Sequence, residues 1–158
     1  MTKGPIASTL DAGEQRIAGE ALQGTVVDLI DLSLVAKQAH WNVVGRNFLS
    51  VHPSLDELVT VARDFTDEAA ERATAIGVSP DGRSSTVASD AGTAGIDAGW
   101  LKDTDAIAAV VANLAAVIER LRTRIESTEK ADPVTQDLLI AITAKLEQLH
   151  WMWQAQGS

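Results

Sequence analysis

The sequence predicts an all-α protein: a bundle of four long helices in which one long connection separates the second helix from the third. Apolar residues recur every three or four positions through four stretches of the chain, which is the spacing of a buried helix face. Runs with the alternation typical of strands are nearly absent. One interruption, residues 77–102, is rich in Gly, Ser, Asp and Ala and is too long for a simple bundle turn.

The first two helices are predicted to form a hairpin. Their expected bounds are Leu10 or Ala18 to Val43 for the first helix and Phe48 to Ile76 for the second. Residues 42–50 separate the helices and contain Gly45 and Asn47, two residue types that favour a turn. Pro53 follows in the first turns of the second helix, where its missing amide donor is expected to cause a small distortion.

The connection and the last two helices carry clearer boundary signals. A connection of this length must cross the bundle or contain a short helix, which we expect at residues 84–89. Asp103 and Asp105 form an acidic start for the third helix. Asp132, an N-cap type, and Pro133, favoured at the first helical position, begin the fourth. Three tryptophans are expected to pack within the subunit or between subunits: Trp100, Trp151 and Trp153.

Composition limits the class of protein. At 158 residues, with 46% hydrophobic and 22% charged residues, the chain is predicted to be one globular domain, residues 1–158, with residues 1–17 as a flexible N-terminal segment. Cysteine is absent from the sequence, which excludes disulfides and thiolate ligands. No basic-then-apolar signal begins the chain, and no apolar run approaches ~18 residues, so we expect a cytoplasmic protein without membrane contact.

Two histidines and three carboxylates lie close together in the sequence. They are His40, His52, Asp56, Asp67 and Glu71. Imidazoles and carboxylates bind iron, zinc and manganese in proteins, so this stretch predicts a metal site. The two histidines are equidistant from the middle of the predicted turn, and two antiparallel helices would bring their imidazoles to the same level, where they can share one metal.

The last two carboxylates cannot reach that metal within one chain. His52, Asp56, Asp67 and Glu71 fall within an arc of about 100° on one helix face. Yet Asp67 lies fifteen residues beyond His52, about 22 Å along the axis, whereas metal bonds span only ~2 Å. Each chain therefore carries two half-sites. A two-fold dimer, with the second helix antiparallel to its copy, would unite them in two identical sites.

Structural roles remain open for the same residues. The two histidines could simply pack at a helical corner, Asp56 could orient an imidazole instead of binding metal, and Asp67 with Glu71 could form a solvated acidic pair. Glu147 and His150 form a Glu-x-x-His pair, but an intramolecular di-iron bundle needs a second such pair, which the sequence lacks. We therefore expect a surface or hydrogen-bonded role for His150.

Beyond their spacing, these residues match a known pattern. The matching segments are Lys37-Gln-Ala-His40-Trp41-Asn42-Val-Val-Gly45-Arg-Asn-Phe48, then His52, Leu55-Asp56-Glu57, Asp67 and Ala70-Glu71-Arg72. In these segments, and through Leu138 to Trp153, the chain resembles the Dps family, the DNA-binding proteins from starved cells. The resemblance implies a ferritin-like four-helix bundle, with a helix-containing crossover, assembled into a hollow dodecamer.

The resemblance also implies a function. Ferroxidase centres at dimer interfaces would take His40, His52 and Asp56 from one subunit and Asp67 and Glu71 from its neighbour. Fe(II) would be oxidised there, by hydrogen peroxide in preference to dioxygen, and stored as Fe(III) mineral in the cage, which protects against oxidative damage. Trp41 could intercept escaping oxidising equivalents, although an aromatic at this position could equally pack in a core or an interface.

DNA binding is the alternative function that the family name suggests. The sequence favours it little, because the net charge is −9 and the first twenty residues contain only Lys3 and Arg16 as basic residues. Location in the nucleoid would accompany that alternative. Asp132 and Asp137 are candidates for an acidic iron-entry pore by resemblance, while helix capping and the helix dipole explain them equally well.

Overall fold

The computed structural model describes residues 4–158, and its architecture is the predicted all-α bundle. The elements are α1 (Ala12–Asn42), β1 (Val43–Val44), α2 (Phe48–Ala75), α3 (Ser84–Asp90), β2 (Leu101–Lys102), α4 (Asp103–Thr128) and α5 (Pro133–Gln156). α1 packs mainly on α2 and α4 mainly on α5, while contacts between α1 and α4 join the two hairpins. The short helix α3 lies in the long crossover, as predicted.

α1 begins at Ala12, between the two starts that the sequence offered. Asp11 accepts hydrogen bonds from the amides of Gly13 and Glu14, and the Glu14 carboxylate accepts one from the Asp11 amide, at 2.8–3.0 Å. This capping box satisfies amides that have no partner within the helix. Residues 12–17, expected to be flexible, are therefore helical; residues 1–3 of that expected segment lie outside the described residues.

Leucine and isoleucine side chains from all four long helices fill the core between the two hairpins. Burying each of them contributes about 1.5–3 kcal/mol relative to exposure, so the four apolar faces that the sequence predicts hold the bundle together. The largest fully buried side chains include Leu22, Leu29, Leu32, Leu55, Leu58, Leu114, Leu121, Leu139, Ile142 and Leu146. Trp153 also packs here as predicted, whereas Trp100 and Trp151 are exposed in the single chain.

A buried carboxylate ties the crossover to the bundle. Asp28 of α1 accepts hydrogen bonds from Arg120 Nε and from the Gly92 amide, both at 2.8 Å, and forms an ion pair with Arg124 Nη2 at 2.7 Å. Its side chain is fully buried, so all of its oxygens must find donors inside the protein. The crossover after α3 is thereby fixed across α1 and α4.

The two short strands join the α1–α2 turn to the end of the crossover. They pair in parallel, with Val43 beside Leu101 and Val44 beside Lys102. This pairing places the first residue of α4, Asp103, next to the turn, where its carboxylate accepts a hydrogen bond from the Asn47 amide at 2.7 Å. Within residues 4–158, no helix is long and apolar enough to cross a membrane.

Candidate metal centre

The two histidines meet at the α1–α2 corner, as the spacing predicts. His40 is in the last turn of α1, and His52 is in the first turns of α2. Their rings stack with centroids 3.7 Å apart and planes inclined by 23°. Nδ1 of His40 is 2.9 Å from the carbonyl oxygen of His52, and Nδ1 of His52 is 3.0 Å from the carbonyl oxygen of His40. The pair is thus joined by two reciprocal hydrogen bonds.

These hydrogen bonds determine which ring nitrogen can bind a metal. A carbonyl oxygen only accepts, so Nδ1 of each histidine must carry the proton, and in the neutral ring Nε2 keeps its lone pair. The carbonyl of His40 is available because the last carbonyls of a helix have no helical donor. A hydrogen bond from the far ring nitrogen to a carbonyl is the usual support for a metal-binding imidazole.

α2 remains helical through Pro53, so this proline does not displace His52 from the corner. Pro53 is the sixth residue of α2 and leaves the carbonyl four residues earlier without its helical donor. Phe48, the first residue of α2, also stacks on His52, with ring centroids 4.8 Å apart. His52 therefore stacks on both Phe48 and His40.

Asp56 lies beside the pair but is bound by a cation from α1. Lys37 Nζ forms an ion pair with Asp56 Oδ1, and the same oxygen is 3.5 Å from His40 Nδ1. The hydrogen bond from Lys37 lowers the pKa of the Asp56 carboxyl, and the nearby histidines add to this effect against the cost of burial. The carboxylate faces the Nδ1 side of His40, which is the geometry of a residue that orients an imidazole.

Asp67 and Glu71 lie farther along α2, and the structure does not bring them to the histidines. Both side chains are exposed, and their spacing of four residues puts them on one helix face. The next residue, Arg72, binds Asp132 at 2.6 Å and Thr135 at 3.1 Å, which anchors this part of α2 to the start of α5. Within residues 4–158, no three His, Asp or Glu side chains form a group that could hold a metal.

Asp132 has a structural role in this arrangement. It is the N-cap of α5, is 2% exposed, and accepts hydrogen bonds from the Val134 amide and Thr135 hydroxyl in addition to Arg72. Burial opposes its ionisation, but Thr135 and Arg72 outweigh burial and lower the pKa of the carboxyl. Its carboxylate is thus engaged inside the subunit, as the capping interpretation predicts, while Asp137 is exposed.

Trp41, next to His40, is 66% exposed in the single chain, so it does not pack in the subunit core. Glu147 forms an ion pair with Arg122 of α4, with the Arg122 Nε 2.7 Å from the carboxylate. His150 is half-buried, and its Nε2 has no hydrogen-bond partner among residues 4–158, so the expected surface or hydrogen-bonded role is not seen for this nitrogen.

Comparison with known proteins agrees with this architecture. A family model described as a ferritin-like domain matches residues 19–157. A DNA protection during starvation protein of Mycolicibacterium smegmatis is 38% identical over 162 residues, covering 98% of this chain and 84% of the relative. A fine tangled pili major subunit of Haemophilus ducreyi is 37% identical over 139 residues, covering 88% of this chain and 74% of the relative.

A solved structure extends the similarity to the fold. Dps from Microbacterium arborescens in its high iron form superposes with a TM-score of 0.90 at 35% identity, covering 95% of this chain and 98% of that one. The sequence relatives and the structure span nearly the whole chain, including both helices that carry the candidate ligands. This chain belongs to the ferritin-like superfamily and, within it, to the Dps family.

Proposed function

We propose that this protein is a ferroxidase that oxidises Fe(II) with hydrogen peroxide and stores the Fe(III) product. The observation that carries the proposal is the reciprocal hydrogen bonding of His40 and His52, which leaves both Nε2 atoms with lone pairs at one corner of the bundle. Membership of the Dps family and the high iron form of a structural neighbour support iron as the substrate.

The complete site would form between two subunits. His40, His52 and Asp56 of one subunit would face the partner's Asp67 and the partner's Glu71, because about 22 Å of helix separates His52 from Asp67 within a chain. An antiparallel pairing of α2 with its copy repeats the arrangement by two-fold symmetry. Assembly of such dimers into a closed dodecamer would enclose a cavity for mineral, and the protein would act in the cytoplasm.

The mixed ligand set suits the proposed reaction. Imidazole nitrogen binds Fe(II), and carboxylate oxygen stabilises the harder Fe(III), so a shell of both kinds can hold the ion during oxidation. Two Fe(II) ions supply the two electrons that, with two protons, reduce one hydrogen peroxide to two water molecules. This stoichiometry avoids the one-electron step that releases hydroxyl radical. Asp56, paired with Lys37, would orient His40 from its Nδ1 side. Direct binding of iron, the other role open to Asp56, would require its carboxylate to reach the Nε2 side of the histidines.

Peroxide-driven iron oxidation provides the direct test of this function. Anaerobic protein loaded with Fe(II) is expected to oxidise two Fe(II) per hydrogen peroxide added, faster than it does with an equivalent amount of dioxygen, and to suppress hydroxyl-radical spin adducts. Absorbance of the Fe(III) product measures the rate, and protein-free buffer is the control. Oxidation at the rate of buffer, or undiminished radical formation, would show that the protein has no such activity.

Nucleoid compaction is the second candidate function, and the name of the M. smegmatis relative, DNA protection during starvation protein, is what favours it. The charge of this chain opposes it, because 22 acidic residues face 13 basic ones and the last eight residues contain no Lys or Arg.

We expect plasmid DNA to be bound weakly or not at all at neutral pH and ~150 mM salt, because binding requires neutralisation of phosphates by basic side chains. A gel-shift titration of metal-free protein, repeated at low salt, measures this. Tight retention of DNA at the higher salt concentration would make compaction the primary function.

A further inference from the structure

Asp103 connects the start of α4 to the turn that precedes His52. Its side chain is 7% exposed, and Oδ2 accepts a hydrogen bond from the Asn47 amide at 2.7 Å while Oδ1 accepts one from the Thr104 amide at 3.0 Å. Asn47 is the N-cap residue of α2, but its own side chain makes no capping hydrogen bond. The helix start is therefore held by a carboxylate from α4.

The turn has a backbone shaped around this carboxylate. Gly45 has a φ of +141°, a backbone angle that residues with a side chain rarely adopt. A Cβ at this position would overlap the Asp103 carboxylate. Because Val44 pairs in parallel with Lys102, the next residue, Asp103, lies beside Gly45, and its carboxylate occupies this space. Both the glycine and the strand pair thus serve the contact between Asp103 and Asn47.

A short series of contacts leads from this carboxylate to the histidine pair. Asn47 precedes Phe48, whose ring stacks on His52, and His52 in turn stacks on and hydrogen-bonds to His40. We propose that Asp103 is a positioning residue for the histidine pair: by fixing the start of α2, it sets Phe48 and the ring of His52 against His40. The consequence for iron oxidation rests on the proposed function, whereas the consequence for the histidines does not.

The tautomers of the histidines provide a readout independent of iron. The chain has only three histidines, so ¹⁵N-histidine-labelled protein gives a simple nitrogen spectrum by magic-angle-spinning NMR of the sedimented protein. In the neutral rings of His40 and His52, the parent is expected to carry the proton on Nδ1 and the lone pair on Nε2. In Asp103→Ala, both rings are expected to become mixtures of the two tautomers, since the reciprocal hydrogen bonds loosen.

Iron oxidation provides the second readout. Asp103→Ala is expected to raise the KM for Fe(II) about tenfold, with a smaller change in kcat. Tenfold is the lower end of the effect of removing a group that orients metal ligands. Asp105→Ala is the matched control. Asp105 is also acidic and in the first turn of α4, but it is exposed and makes no hydrogen bond to the α1–α2 turn within residues 4–158.

A milder variant keeps the test valid if Asp103→Ala does not fold. Asp103→Asn retains an acceptor oxygen but loses the charge that strengthens the bond, so a rise in KM of about threefold and partial tautomer mixing are expected. Parent-like tautomers and KM in a folded Asp103 variant would overturn the positioning role. If the parent itself oxidises no iron, the proposed function fails, while the tautomer comparison still decides the role of Asp103.

Discussion

Replacement of Asp67 by Asn and of Glu71 by Gln is expected to abolish most peroxide-driven iron oxidation while the helical fold survives. The amides preserve side-chain size but remove two negative charges from the proposed shell. Ligands contribute more than the groups that orient them, so we expect Fe(II) affinity and oxidation rate to fall by on the order of a hundredfold or more. Both side chains are exposed, so circular dichroism should show unchanged helix content, and thermal stability of the metal-free protein should be equal or slightly higher.

The same helix offers a matched control for this variant. Asp64 and Glu68 are also exposed, also four residues apart and carry the same charges, three residues before the proposed ligands. The double substitution Asp64→Asn and Glu68→Gln removes the same net charge from α2 but leaves the proposed iron ligands unchanged. The oxidation rate should therefore stay close to that of the parent. Equal oxidation rates for the two double variants would mean that Asp67 and Glu71 form only a solvated acidic face.

The helices were predictable because residues at or next to their ends determine where they begin. Asp132 and Pro133 begin α5 at the expected residue, since capping and proline preference act within one turn. The apolar stripe of α1 is weak before Ala18, so periodicity alone leaves the start of this helix open between Leu10 and Ala18. Its position at Ala12 follows from the Asp11 and Glu14 capping box, a local signal that the periodicity alone does not include.

Less of the candidate site was predictable, because its fine geometry depends on contacts between distant residues. Equal spacing from the turn was enough to bring His40 and His52 together. The ion pair of Lys37 with Asp56 joins two helices, and the bond of Asp103 to Asn47 spans 56 positions of sequence. Spacing along one helix carries no information on such pairs, although Lys37, one turn before His40 on the same helix, could have been recognised as a neighbour of the site.

Mixing two inactive proteins tests whether the site is shared between subunits. Protein with His40→Ala and His52→Ala lacks one proposed half-site, and protein with Asp67→Ala and Glu71→Ala lacks the other, so each alone should show little iron oxidation. A mixed dimer brings the intact histidines of one chain to the intact carboxylates of the other, and this restores one of the two sites of that dimer. If subunits pair at random from an equimolar mixture, half of the dimers are mixed, and about a quarter of the parent activity should return.

If the site is shared between subunits, the recovered activity requires exchange of subunits. A mixture in which no exchange occurs is therefore the control. The two proteins should be mixed once after dissociation and reassembly and once as intact assemblies, and differently tagged chains should be used to measure the fraction of mixed dimers. Activity should return only in the reassembled sample and in proportion to that fraction, because a half-site cannot be completed within its own chain across about 22 Å of α2. Mixed dimers that oxidise no more iron than the separate variants would place the site within single subunits, and the interfacial pairing would then be wrong.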